Sequence, residues 1–320
     1  MSNDTLDAPV NEISGGGSQF ASETLLNAPR GSLEDGLDIA LFGIPFDGGS
    51  TLRPGSRHGP QQMRHMSLNI RQVNHSTRIN PFDLCKVADI GDTPLDLFDQ
   101  KRNFELISAY CKNVVASGAI PLAAGGDHAI ALPCLRGVAS TSGPVAVVHF
   151  DAHPDTMDEL AESRYNHATP FRRAVEEGLE DPTRHVMIGI RGTWSNDYEA
   201  FDWAEAQGMT ILWIDDCFAL GPEGVAAKVR EVIGDHPTYL SLDVDGVDPA
   251  DIPGTCSPEP GGLRMRDMQV ILRGLRGMNF VGGDINEVSP PLDPTGYSAL
   301  NADHLLFEML CLCAESRASK

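Results

Sequence analysis

Seven apolar runs of strand length punctuate the chain: "LDIALFGI" (37–44), "AIPLAAG" (119–125), "PVAVVHF" (144–150), "HVMIGI" (185–190), "MTILWI" (209–214), "TYLSL" (238–242) and "NFVGGDI" (279–285). They are near-continuous rather than alternating, so each strand must be covered on both faces, as in a parallel sheet. Helical patterns lie between them, near 58–72, 101–117, 129–139, 169–179, 197–207, 218–233 and 266–277, with a last one over 299–315. Strand, helix, strand in repetition means βαβ units. The expected fold is α/β, a three-layer α/β/α architecture on a mostly parallel sheet. No repeat or compositional break divides residues 36–320, which are expected to form one domain. Residues 1–35 are rich in Ser, Gly, Asn and acids, lack hydrophobic periodicity, and are expected to form a flexible arm.

In open parallel sheets, ligands bind beyond the carboxyl ends of the strands. Here those ends are polar. Gly126-Asp127-His128 follows the second run, Asp151, His153 and Asp155 follow the third, Asp243, Asp245 and Asp248 follow the sixth, and the seventh leads into Asn286 and Glu287. Residues i and i+2 of an extended segment share a face, so Asp151 with His153, and Asp243 with Asp245, each direct two donors into one space. Four carboxylates and two imidazoles at such a place carry a formal charge of −4, which two divalent cations would cancel; without cations the carboxylates would repel and be driven to protonate. A donor set of oxygen with some imidazole and no thiolate suits Mn²⁺ best, with Ni²⁺, Co²⁺ or Zn²⁺ as alternatives. Two such ions a few ångströms apart can share a water and present hydroxide at neutral pH.

Charge and cysteine usage exclude other classes. Forty-five acids against 24 Lys and Arg give a formal charge of −21, which repels phosphate backbones and anionic membrane surfaces, so neither nucleic acid nor membrane is an expected partner. The seven Cys form no CxxC pair, pointing to reduced thiols rather than a disulfide framework. No apolar stretch reaches 18 residues, and the first residues are acidic and polar where a signal peptide would be basic and then apolar, so a cytoplasmic location is expected. No GxxxxGK[ST] loop appears, and no organic cofactor is implied.

The blocks "GGDHAI", "FDAHPDT", "SLDVDGVDP" with "GGL" following, and "GDINEVSPPLD" resemble, in order, the signature blocks of the ureohydrolase family of arginases, agmatinases and guanidino-acid hydrolases. The resemblance covers about 36–315, and "GIPFDGGSTLRPGSRHGP" with "HATPFRRAVEEG" resembles the agmatinase branch. It implies an arginase-like fold and two Mn²⁺ per chain. One ion would be held by His128, Asp151, Asp155 and Asp243, the other by His153, Asp151, Asp243 and Asp245, with Asp151 and Asp243 bridging. It further implies that Glu287 grips the substrate guanidinium, that His167 in "YNHATPF" shuttles protons, and that Asp155 assists proton transfer. The implied reaction is hydrolysis of a small guanidino compound to urea and an amine, in a homo-oligomer, a trimer or hexamer.

Several neighbours have plainer roles. Asp127 is expected to hold a turn or orient His128, Asp248 to start a turn, and His149 to sit in the core or behind the ligands. His58, His65, His75, His185, His236 and His304 are read as structural. Cys256 and Ala168 stand where relatives often carry glycine. For the substrate, agmatine, giving putrescine and urea, is the first expectation, with Asp158, Glu159 and Glu162 as candidates to face its cationic tail. Arg164 in the same loop would instead receive the carboxylate of 4-guanidinobutanoate or 3-guanidinopropanoate, and free guanidinium fits if Cys256 closes the pocket. A non-catalytic metal-binding relative and a one-zinc deacylase are the alternatives from other classes.

Overall fold

The structure, a computed structural model, describes residues 23–194 and 198–319. Eight strands form one parallel sheet: β1 (Ile39–Gly43), β2 (Val87–Asp92), β3 (Ile120–Ala124), β4 (Val145–Phe150), β5 (Glu180–Ile190), β6 (Thr210–Trp213), β7 (Thr238–Asp243) and β8 (Phe280–Asn286). Their spatial order is β2-β1-β3-β8-β7-β4-β5-β6. The chain thus builds one flank with β1, β2 and β3, jumps to β4 and builds the other flank outward to β6. It then returns to fill the two central places with β7 and β8.

The helices are α1 (Gly59–Met66), α2 (Pro81–Leu84), α3 (Gln100–Ala116), α4 (Ala131–Ser142), α5 (Pro170–Glu176), α6 (Glu199–Gln207), α7 (Ile214–Ile233), α8 (Met265–Gly274) and α9 (Tyr297–Ala318). Because side chains alternate across a strand, each strand feeds two cores. Leu41, Leu122, Val148, Leu240 and Ile285 join Val229, Ile271 and Leu306 of α7, α8 and α9 on one face. Ala40, Phe42, Ala123, Val147 and Tyr239 join Ile107, Leu135 and Phe171 of α3, α4 and α5 on the other. The expected three layers are therefore present, and they explain why the inner strands read as unbroken apolar runs.

Beyond the one-turn α2, which the pattern does not predict, and the start of β5 at Glu180 rather than 185, the sequence-predicted elements need three corrections. First, β2 ("VADIGD") is not among the seven apolar runs, because as the edge strand it carries Asp89 and Asp92, which pair with Arg64 at 2.8 and 2.6 Å. Second, α7 begins at Ile214, not 218: two helical pieces meet at Gly221, whose φ of 68° followed by Pro222 marks the kink. Third, the expected flexible arm to Asp35 is overturned over 24–28. Leu25 and Leu26 are fully buried in the same core as α9, the Leu25 N–H donates to Asp89 Oδ2 at 2.8 Å, and the Leu26 N–H donates to Ser67 Oγ at 2.8 Å. One apolar pair in a polar stretch carries no periodicity, so pattern alone misses it; residues 1–22 of that arm lie outside the described residues.

Leu25→Ala is therefore expected to destabilise the fold by about 2–5 kcal/mol, the range for emptying a buried leucine site. Chemical denaturation followed by circular dichroism checks this, and unaltered stability would return the segment to the status of an arm.

Candidate metal centre

The four polar strand ends belong to β3, β8, β7 and β4, which are consecutive in the sheet, so their loops open onto one place. The turn after β3 needs glycine: a Cβ on Gly126 would lie 1.8 Å from the carbonyl oxygen of Phe46. Asp127 holds that turn, its carboxylate accepting from Gly49 N at 2.6 Å and Ala129 N at 3.1 Å. After β4, Asp151 Oδ1 accepts from His153 N at 2.6 Å. After β7, Asp243 Oδ1 accepts from Asp245 N at 2.8 Å, and Asp245 Oδ1 accepts from Ala152 N at 3.1 Å, tying the two loops together. Asp248 is a turn residue, accepting from Ala250, Gly261 and Gly262.

The six candidate ligands converge. His128 Nδ1 lies 2.9 Å from Asp155 Oδ2, 3.0 Å from Asp151 Oδ2 and 3.4 Å from Asp243 Oδ2. His153 Nδ1 lies 3.1 Å from Asp245 Oδ2 and 3.3 Å from Asp151 Oδ1. Asp151 thus turns one oxygen to each imidazole, as a bridging carboxylate would. His128 Nδ1 is fully buried and has no hydrogen-bond partner, although carboxylate oxygens surround it. A buried ring nitrogen surrounded by carboxylate oxygens without a hydrogen bond is a poor arrangement on its own and a good one around a cation, so this donor set fits divalent ions.

The electrostatics show the same deficit of positive charge. Burial, then Asp245 and Asp151, push Asp243 well above the ordinary carboxylate range; burial and Asp151 raise Asp155; and burial brings Asp245 to about 6. Asp151 is the exception: burial opposes its charge, yet the neighbouring His128, His149 and His153 imidazoles hold it well below the ordinary value. Burial also disfavours charge on His128 and His153, but the surrounding carboxylates draw both well up.

Glu287 and His167 stand beside this cluster. Glu287, at φ 66°, is buried; its Oε1 accepts from His128 N at 2.9 Å, while Oε2 has no partner. Backbone held in the left-handed region by a non-glycine residue is a strain that clusters at functional sites. His167 Nδ1 lies 3.5 Å from Glu287 Oε1, and its Nε2 lies 3.4 Å from Thr51 Oγ1. Burial opposes the charge on His167, but Glu287, Asp155 and Asp127 raise it to about 9. A cavity of about 200 Å³ opens over His153, Asp155, His167, Asp243 and Asp245, with Thr51, Met157, Leu160, Trp194 and Ser257 in its walls.

The loop charges expected to choose the substrate are engaged elsewhere. Asp158 pairs with Arg173 at 2.7 Å and Arg164 at 3.0 Å, and Arg164 also pairs with Glu176 at 3.1 Å. Glu159 and Glu162 are exposed and do not line the cavity. The cause is local: α5 turns its arginines back onto this loop. Cys256 is buried and does not line the cavity, whereas its neighbour Ser257 does.

Two supports of the centre escape motif reading. The partner that orients His128 is Ser241 Oγ, 2.9 Å from its Nε2, and Ser241 in turn donates to Asp284 at 2.6 Å. Asp284, an acid inside a central strand, is a signal in itself, since burial without a partner is costly. Arg191, directly after β5, donates to the carbonyls of Gly189 at 3.0 Å, Asp245 at 2.6 Å, Gly246 at 3.1 Å, Val247 at 3.2 Å and Glu259 at 2.8 Å. This buried fork clamps the loop that carries Asp245. Arg191→Met is expected to cost on the order of 3 kcal/mol by leaving these carbonyls unpaired, and to weaken divalent-ion binding; thermal melts and ion titration of the same variant check both.

The chain is 45% identical over 297 residues to the guanidinopropionase of Pseudomonas aeruginosa, covering 92% of each protein. It is 43% identical to the mitochondrial agmatinase of Gallus gallus, over 90% of this chain and 85% of that one. Among solved structures, the proclavaminate amidino hydrolase of Streptomyces clavuligerus superposes with a TM-score of 0.89 at 37% identity, over 94% of this chain and all of that one. The sequence profile of the arginase family matches residues 37–311, a span that holds all four strand ends, and the chain belongs to that family.

Proposed function

We propose that the chain hydrolyses a small guanidino compound to urea and an amine with two divalent cations, Mn²⁺ first, at the cluster of His128, Asp151, His153, Asp155, Asp243 and Asp245. The observation that carries this reading is the buried, partnerless His128 Nδ1 among carboxylate oxygens, next to a Glu287 whose Oε2 is also partnerless. When bound, such an ion pair supplies Lewis acidity and hydroxide at neutral pH. The residues supply the rest. Glu287 offers its oxygens to the planar guanidinium, a fork that matches a carboxylate, and Thr51 and Ser257 offer hydroxyls at the cavity wall. His167, beside Glu287, can give a proton to the departing amine nitrogen as its bond to the guanidinium carbon breaks, while Asp155 would take the proton of the attacking hydroxyl as the urea carbonyl forms.

Agmatine, yielding putrescine and urea, is the first substrate to test, supported by the blocks of the agmatinase branch. A guanidino acid is the second reading, favoured by the 45% identity to a guanidinopropionase. A homo-oligomer in the cytoplasm, without nucleic acid or membrane partners, completes the proposal. The charge of −21 supports the absence of nucleic-acid and anionic-membrane partners, and among the described residues no helix is long and apolar enough to cross a membrane.

Urea release by the Mn²⁺-loaded protein is the test, run with agmatine, 3-guanidinopropanoate, 4-guanidinobutanoate and guanidinium. Release from none of them would overturn the reading. Asp243→Ala should take up no metal pair and release no urea. Glu287→Gln should keep its metal but lose turnover on the order of a hundredfold or more, the penalty for unpairing a buried charge. His167→Asn should lower kcat by about 10²–10⁴. Because protons on Asp243, Asp245 and the two imidazoles compete with the cations, Mn²⁺ loading should release protons and weaken as pH falls through about 6, where Asp245 titrates. Calorimetry in buffers of different ionisation enthalpy measures that release, and pH-independent loading would contradict it.

A further inference from the structure

Behind Asp151 runs a buried polar column that neither the ligand set nor the proton-transfer residues use. His149 Nε2 is 2.8 Å from Asp151 Oδ2, His149 Nδ1 is 3.4 Å from His185 Nε2, and His185 Nδ1 is 3.2 Å from Glu180 Oε2. His149 and His185 are fully buried, and Glu180 is 3% exposed. The backbone builds the column deliberately. In the β4–β5 pairing Val145 stands opposite Glu180 and Val147 opposite His185, so residues 181–184 bulge out against the single Ala146. That bulge brings Glu180, five residues away in sequence, up to the His185 ring. Phe171 seals the column, its ring centroid 4.2 Å from that of His149 and 5.0 Å from that of His185.

Proton counting fixes the direction of the hydrogen bond to Asp151 and places one hydrogen in each of the other two contacts. A carboxylate that serves a cation has no hydrogen to give, so the contact with Asp151 is filled by the Nε2–H of His149. His149 Nδ1 then shares one hydrogen with His185 Nε2, and His185 Nδ1 shares one with Glu180. Each of the three gaps holds one hydrogen, whichever group carries the charge. We propose that Glu180 and His185 are positioning residues that lock His149 with its Nε2–H on Asp151, so that this carboxylate meets both cations in one orientation. The inference rests on the cluster being a cation centre. Partners behind metal ligands of this kind tune affinity by about 10–100-fold.

The test uses the full-length protein. In the metal-free, ¹⁵N-histidine-labelled form, His149 is expected to show a slowly exchanging Nε2–H. Mn²⁺ affinity is then read from the electron spin resonance of the free ion. His185→Phe keeps a ring beside Phe171 but removes the donor; it should lose that slow exchange and bind Mn²⁺ at least about tenfold more weakly. His185→Gln, whose amide nitrogen can reach the position of Nε2, should recover both. Retention of affinity and of the His149 signal in a folded His185→Phe protein would overturn the proposal, because a purely structural role moves only the melting temperature. A wild-type His149 with no hydrogen on Nε2 would overturn it too, whether or not His185→Phe folds. Absence of Mn²⁺ binding by the wild type would remove the centre itself, a failure distinct from loss of the column alone.

Discussion

Four buried carboxylates cannot be gathered around one point without compensating positive charge. Around the centre, Asp151, Asp155, Asp243 and Asp245 are each at most 7% exposed, and the two imidazoles between them cannot neutralise all four. The interaction is unfavourable until cations enter, so the fold must hold these groups together against their own repulsion. Much of the local architecture does this holding: backbone N–H groups accepted by Asp127, Asp151, Asp243 and Asp245, the guanidinium of Arg191 across the β7 loop, and the serine and aspartate behind His128.

The sheet order explains how so many donors reach one place. Strands that are distant in sequence, ending near 124, 150, 243 and 286, lie side by side, and parallel pairing sends all their carboxyl ends the same way. The helical layers bury the apolar faces, and the polar chemistry is confined to one rim. Glu287 and Asp155 hold positive φ at that rim, where packing rather than local preference sets the backbone.

Much of this was legible in residue order. Near-continuous apolar runs predict the inner strands because those strands are buried on both faces, and the i, i+2 spacing of Asp151 with His153 and Asp243 with Asp245 predicts their convergence. What stayed hidden depends on contacts distant in sequence. The edge strand β2 is interrupted by Asp89 and Asp92, which Arg64 pairs, and Leu25 and Leu26 are held by Asp89 and Ser67 and packed in the core of α9, all distant in sequence. His185 looks like any strand histidine until a bulge brings Glu180 beside it. The loop charges mislead for the opposite reason: Asp158 and Arg164 face the right region in sequence, yet they satisfy one another and α5.

The late return of β7 and β8 to the middle of the sheet has a consequence for biosynthesis. A nascent chain that has emerged only as far as β6 carries two half-sheets whose inner edges, β3 and β4, have no neighbours. At roughly 5–20 residues per second of translation, that slot stays open for seconds. Ribosome-bound chains therefore pass through a stage with two unpaired apolar edges, which invites chaperone capture, and the ion-binding rim is completed only when the last third of the polypeptide arrives.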